Sequence, residues 1–115
     1  PIYYVNDKPH IGHAYTTIAC DILARFNKLQ GKNVFFLSGT DEHGQKVEKA
    51  ANKLNKNPQD FVNDMSESFK KLIPDLGCEI NDFIRTTEKR HFKAAQNLWK
   101  KKFQYCLTGT VTPVC

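Results

Sequence analysis

An α/β fold built on a parallel sheet is the class this sequence predicts, and three observations lead to it. Ile2 to Val5 is an apolar and aromatic run without polar alternation, as expected of a strand buried on both faces. Ile11 to Leu29 repeats its apolar residues in steps of three and four over five turns, the mark of an amphipathic helix. Val34-Phe35-Phe36-Leu37 is a second short apolar run. Strand, helix and strand within about 36 residues make a βαβ unit with parallel strands and a right-handed crossover.

The elements follow in order. Asn6-Asp7-Lys8-Pro9 breaks the first strand, since Pro9 lacks the N–H of a ladder residue but is tolerated where a helix begins. The helix places Ile11, Ala14, Tyr15, Ile18, Ala19, Ile22, Leu23, Phe26 and Leu29 on its apolar face, carries Arg25 and Lys28 in its last turns, and stops at Gly31. After Leu37, the stretch Ser38-Gly39-Thr40-Asp41-Glu42-His43-Gly44 reads as a polar loop. Val47, Ala50, Ala51 and Leu54 then mark a second helix, ended by Asn55-Lys56-Asn57-Pro58, which also opens a third. Phe61, Met65, Phe69 and Leu72 give that third helix a core-facing stripe up to about Leu76, with Gly77 as its stop. Phe83 and Ile84 predict a third short strand, and Glu88 to about Phe103 a last helix with Phe92, Ala95, Leu98 and Trp99 turned inward and His91 beside them as a structural residue.

Composition sets bounds on function. Of the 115 residues, 40% are apolar and 25% charged, which fits a soluble domain, and no apolar run approaches the roughly 18 residues of a membrane span. The net charge of +5 is compatible with an RNA or phosphate partner, but lysines on exposed helix faces account for it equally well. Cys20, Cys78, Cys106 and Cys115 show no C-x-x-C spacing; they suit a reducing compartment better than a disulfide framework, with Cys20 read as a buried thiol. The sequence starts inside a strand pattern without an initiator Met, which leads us to expect a fragment whose targeting segment, if any, lies outside it.

Two loops carry the chemistry. Parallel strands bring their C-terminal ends to one edge, where ligands of open α/β sheets bind. Pro9-His10-Ile11-Gly12-His13 meets a helix N-terminus there, whose free N–H groups and positive dipole end favour phosphate. His10 and His13 share one side of the first turn, and Gly12 lets a flat ligand approach the backbone. A surface pair and a metal pair are the competing readings of His-x-x-His; zinc sites recruit three or four ligands, and no others lie near in sequence. In the second loop, Asp41 and Glu42 serve either a ligand or only the start of the next helix.

The string Tyr3-Tyr4-Val5-Asn6-Asp7-Lys8-Pro9-His10-Ile11-Gly12-His13-Ala14-Tyr15 resembles the first signature of class I aminoacyl-tRNA synthetases. Phe36-Leu37-Ser38-Gly39-Thr40-Asp41-Glu42-His43-Gly44 and Asp82-Phe83-Ile84-Arg85-Thr86-Thr87 resemble methionyl-tRNA synthetases in particular, of the bacterial and organellar type, and the resemblance runs from Pro1 to about Lys102. It implies a Rossmann-like parallel sheet, the N-terminal half of a class I synthetase catalytic domain. It implies ATP as substrate with Mg2+, methionine activation to methionyl-adenylate, transfer to tRNA through parts beyond this chain, and no membrane. By the same resemblance His10 and His13 contact the ATP phosphates, Gly12 lets the adenine pack on backbone, Ile2 and Tyr4 line the methionine pocket, and Asp41 holds the methionine ammonium.

The expected organisation is 1–103 as the N-terminal part of that domain and 104–115 as a divergent tail near the start of a connective insertion. That tail lacks the family's zinc-binding Cys pairs, so no zinc is expected; Thr108, Val111, Thr112 and Val114 suit a short strand or an irregular tail, and the departure fits a truncation, a missed exon or a frame error. The family's second signature, Lys-Met-Ser-Lys-Ser, does not occur in these 115 residues, so the chain by itself is expected to be inactive. Localisation is expected to be cytoplasmic or organellar. The alternatives are a non-catalytic nucleotide- or RNA-binding module and a related nucleotidyltransferase.

Overall fold

The computed structural model describes residues 1–107, with side chains through residue 102. The elements are β1 (Ile2–Tyr4), α1 (Ile11–Leu29), β2 (Leu37–Asp41), α2 (Gln45–Lys53), α3 (Pro58–Asp75), β3 (Asp82–Arg85) and α4 (Lys89–Leu107). The strands form one parallel sheet in the order β1-β2-β3. Every strand is therefore joined to the next by a helical crossover, as the βαβ reading predicts. The expected strand or tail at Thr108, Val111, Thr112 and Val114 lies outside the described residues, as do Cys115 and the side chain of Cys106.

The register decides what faces what. Tyr3 lies beside Thr40, and Thr40 beside Arg85; Ile2 lies beside Gly39, and Gly39 beside Ile84. Neighbours in register share a face, and successive residues alternate. The face of Tyr3, Thr40 and Arg85 bears the helices. Tyr3 stacks on Phe69 of α3, with ring centroids 4.8 Å apart, and its hydroxyl bonds Thr17 of α1 at 2.6 Å. The core gathers on this side, from Tyr3, Val5, Val47, Ala51, Phe61, Val62, Phe69, Ile73 and Cys78. The opposite face carries Ile2, Tyr4, Leu37, Gly39, Asp41 and Ile84, and there Ile2 and Leu37 stay exposed.

Three expectations about the secondary-structure elements, and one about Cys20, are corrected. β2 is not Val34–Leu37 but Leu37–Asp41, so Gly39, Thr40 and Asp41 belong to a strand rather than a loop. Pairing with two partners overrides the apolar run, because Phe36 is instead tied to Asn81, donating its N–H to Oδ1 at 2.7 Å and accepting from the Asn81 N–H at 2.9 Å. The polar residues inside β2 are satisfied: Ser38 donates to the Pro1 carbonyl at 3.0 Å and Thr40 to Glu42 at 2.7 Å. Gly39 is needed there, since a Cβ would lie 1.9 Å from the Ile84 carbonyl oxygen of β3.

The second correction concerns α1. Its buried residues are Ala14, Thr17, Asp21 and Ala24, while Ile11, Tyr15, Ile18, Ile22, Leu23, Phe26 and Leu29 are exposed. The third concerns α4, where Phe92, Ala95, Leu98 and Trp99 are likewise exposed rather than inward. In α1 the period is right, but the side turned to the chain's own sheet is not the one with the large apolar residues; in α4 every residue from Phe92 to Lys102 is exposed. Cys20 is only half-buried, and it and Cys78 are free thiols.

Candidate functional site

α1 begins where it does because its first turn is capped by histidines. His10, extended at φ −137° and ψ 176°, is the N-cap, and its Nδ1 accepts from the Gly12 N–H at 3.1 Å. His13 returns the bond, its Nδ1 accepting from the His10 N–H at 3.1 Å. This is a capping box made of imidazoles in place of Ser and Glu. It has a chemical consequence: with Nδ1 an acceptor in both rings, each neutral imidazole carries its proton on Nε2, as a donor. The rings lie 3.9 Å apart, and His13 sits edge-on against Phe69 with centroids 4.9 Å apart. Burial, and then the charge of His10, lower the His13 pKa, which favours the neutral donor. Gly12 also makes room for the cap, since a Cβ there would press on His10 Cε1 at 3.0 Å.

The other predicted residues lie on the opposite sheet face. Tyr4 and Asp41 are register partners at the C-terminal ends of β1 and β2, and Val5 donates back to the Asp41 carbonyl at 3.5 Å. Tyr4 reaches across the second loop, so that a Cβ on Gly44 would lie 2.7 Å from its hydroxyl. Gly44, at φ 121°, is a conformation that side chains disfavour as well. Ile2 shares the face of Tyr4 and lines an open cavity of about 350 Å³ with Leu37, Gly39 and Ile84. The structure thus joins His10 with His13, and Tyr4 with Asp41, as two groups at one sheet edge on opposite faces.

The helix-cap reading of this loop does not hold. The N-cap of α2 is Gly44, with no side-chain bond, so neither Asp41 nor Glu42 caps it. Glu42 has a different place, which the sequence reading missed. It is 4% exposed and ion-pairs with Arg85, Oε1 to Nε at 2.7 Å and Oε2 to Nη2 at 3.0 Å. Burial works against its charge, but hydrogen bonds from Arg85, Thr87 and Thr40, and the charge of Arg85, hold its pKa below the usual carboxylate range. Strand alternation is the signal that finds it: once β2 is Leu37–Asp41, Glu42 continues on the face of Thr40, toward the helices.

Among the described residues no group of three or more His, Cys, Asp or Glu side chains is arranged to hold a metal ion, and no helix is long and apolar enough to cross a membrane.

A parallel sheet with a histidine-capped helix N-terminus at its C-terminal edge is an open α/β arrangement, whose ligands bind at that edge. The chain belongs to the family described as tRNA synthetases class I (M), which matches residues 1–106. It is 59% identical over 101 residues to the methionine–tRNA ligase of Rickettsia conorii and 58% identical over 101 residues to that of Rickettsia bellii, in each case 88% of this chain and 20% of the relative. A crystal structure of Mycobacterium tuberculosis methionyl-tRNA synthetase bound by methionyl-adenylate superposes with a TM-score of 0.83 at 41% identity, covering 86% of this chain and 20% of that one. The chain spans about a fifth of the length of these relatives.

Proposed function

We propose that this chain is the N-terminal part, over residues 1–103, of the catalytic domain of a methionine–tRNA ligase. The ligase activates methionine with ATP and passes the methionyl group to tRNA. The observation that carries this reading is the imidazole capping box, which fixes two Nε2–H donors beside a helix N-terminus at the ligand edge of the sheet. In the first step a methionine carboxylate oxygen forms a bond to the α-phosphorus of ATP. The bond from that phosphorus to the bridging oxygen breaks, and pyrophosphate leaves with the electron pair. No covalent enzyme intermediate is needed, so the chain contributes orientation and charge stabilisation. His10 and His13 donate to phosphate oxygens as their charge shifts, and Gly12 leaves the backbone open to the adenine. Ile2 and Tyr4 line the methionine pocket, and Asp41 accepts from the substrate ammonium. Mg2+ enters only as the companion of ATP, carried on its phosphates, and no zinc is assigned to this chain. Transfer to tRNA uses parts of the longer protein. A cytoplasmic or organellar compartment belongs to the same reading.

The test is ATP–pyrophosphate exchange by the full-length protein, with each amino acid in turn. Methionine alone is expected to drive it. His10→Ala and His13→Ala are each expected to reduce turnover by about 2–4 kcal/mol of barrier, with the methionine KM moved less, as for the loss of an oxyanion donor. A raised methionine KM at unchanged turnover contradicts the assigned role. Asp41→Ala is expected to raise the methionine KM by one to two powers of ten, since a hydrogen bond to a charged group contributes about 1.5–3 kcal/mol.

A further inference from the structure

Asp41 and Glu42 are adjacent carboxylates with opposite environments. Asp41 is half-buried on the face of Tyr4, whereas Glu42 is buried on the face of the helices. A carboxylate offers about four lone-pair positions. Glu42 has four donors for them: Arg85 Nε at 2.7 Å and Nη2 at 3.0 Å, Thr40 Oγ1 at 2.7 Å, and Thr87 Oγ1. Its backbone N–H donates to Thr86 Oγ1 at 2.9 Å, and Arg85 Nη2 also donates to Asn63 Oδ1 of α3 at 2.7 Å. These bonds tie the end of β2 to the end of β3, to the turn before α4 and to α3. The carboxylate is saturated, so Glu42 has no capacity left for a ligand, and it cannot rotate without losing donors. A buried ion pair adds little net stability over well-packed apolar residues. What this one supplies is a fixed backbone beside Asp41 and a cancelled charge at Arg85.

We propose that Glu42 is a positioning residue for the amino-acid ammonium. Its clamp to Arg85, Thr86 and Thr87 fixes the backbone at the end of β2 and with it the direction of the Asp41 carboxylate. This inference rests on the ammonium-binding role proposed for Asp41.

The experiment measures methionine and ATP KM by pyrophosphate exchange in the full-length protein, below the melting temperature of every variant. Glu42→Gln keeps the shape and removes the charge. Because small misplacements of binding groups are costly, it is expected to raise the methionine KM about tenfold while leaving the ATP KM unchanged. The double variant Asp41→Ala/Glu42→Gln is expected to match Asp41→Ala alone, since Glu42 acts through Asp41. Thr87→Val, which removes one of the four donors, is expected to raise the methionine KM about threefold and gives the reading if Glu42→Gln does not fold. A lowered melting temperature with an unchanged methionine KM in Glu42→Gln, or in Thr87→Val where that variant is read, overturns the inference and leaves only a structural pair. So does a Glu42→Gln effect that persists undiminished without Asp41. If Asp41→Ala itself leaves the methionine KM unchanged, the role of Asp41 falls and takes this inference with it; if Asp41→Ala raises it and Glu42→Gln does not, only the inference falls.

Discussion

Helices α1 and α3 are nearly the same length, 19 and 18 residues, and both are amphipathic, yet they bury opposite sides. α3 turns Phe61, Val62, Phe69 and Ile73 into the core. α1 adds no large side chain to that core; it buries only the small Ala14 and Ala24 beside the hydroxyl of Thr17 and the carboxylate of Asp21, and leaves Ile22 59% and Phe26 55% exposed. The two helices hold the sheet by different physics. α3 acts through apolar area and ring stacking. α1 acts through specific bonds: Thr17 with the Tyr3 hydroxyl at 2.6 Å, Asp21 accepting from the Glu79 N–H at 3.1 Å, and Arg25 Nη2 donating to the Gly77 carbonyl at 2.9 Å. An amphipathic period fixes which residues share a side. It does not say which side meets the chain's own sheet.

The largest effect is expected on the α3 side. Phe69 is fully buried and touches both Tyr3 and His13. Phe69→Ala is expected to destabilise the 115-residue chain by about 3–5 kcal/mol, from lost transfer free energy and an unfilled cavity. Urea unfolding measures it, and a cost below about 1 kcal/mol would erase the contrast between the helices.

A middle effect belongs to the polar side of α1. Thr17→Val leaves the Tyr3 hydroxyl buried without its partner, and about 1–3 kcal/mol is expected to be lost. Asp21 adds a pH dependence. Burial opposes its charge, but hydrogen bonds from the Glu79 N–H and Arg25, with the charges of Arg25 and Lys28, lower its pKa. A folded-state pKa below the unfolded value means a stabilising contribution fully present above about pH 3.9 and lost as the pH falls through the folded value. Melting temperatures of the wild type and of Asp21→Asn, taken from pH 6 down to pH 2, are expected to converge at the acid end. Curves that stay parallel would detach Asp21 from the acid response.

How much of this was legible in the sequence follows the same division. The βαβ frame, both bounds of α1, the Asn57-Pro58 start of α3 and the His10–His13 turn were readable, because period, capping chemistry and Gly or Pro stops are local. The bounds of β2 were not, because Val34–Phe36 has the apolar composition while the register with β1 and β3, a property of distant residues, selects Leu37–Asp41. Displacing β2 hid Glu42, whose partners Arg85 and Thr87 lie more than forty positions away. The apolar face of α1, and the stripe of Phe92, Leu98 and Trp99 expected inward in α4, stay exposed because burial requires an opposing surface, and no local pattern encodes one.

The smallest effect is expected where the sequence signal was strongest. Ile22 and Phe26 lie on the exposed stripe of α1, and truncating either removes side-chain atoms that already meet water. Ile22→Ala and Phe26→Ala are therefore expected to change the stability of the 115-residue chain by no more than about 0.5 kcal/mol, against the several expected for Phe69→Ala. Solubility is expected to respond more than stability, because seven exposed apolar residues on one helix form a patch that favours association. Ile22→Lys with Phe26→Lys breaks the patch at its centre without touching Thr17 or Asp21, so the concentration at which the chain aggregates is expected to rise while its urea midpoint holds. The competing account is that the stripe is covered in solution, for example by a second copy of the chain. In that case Ile22→Ala and Phe26→Ala would each cost more than about 1 kcal/mol, as buried truncations do. The cost would also grow with protein concentration, as it must when burial depends on association. Measuring both alanine variants at two concentrations a hundredfold apart separates a helix that holds the sheet by its Ala14, Thr17, Asp21 and Ala24 side alone from one whose large apolar side is in use.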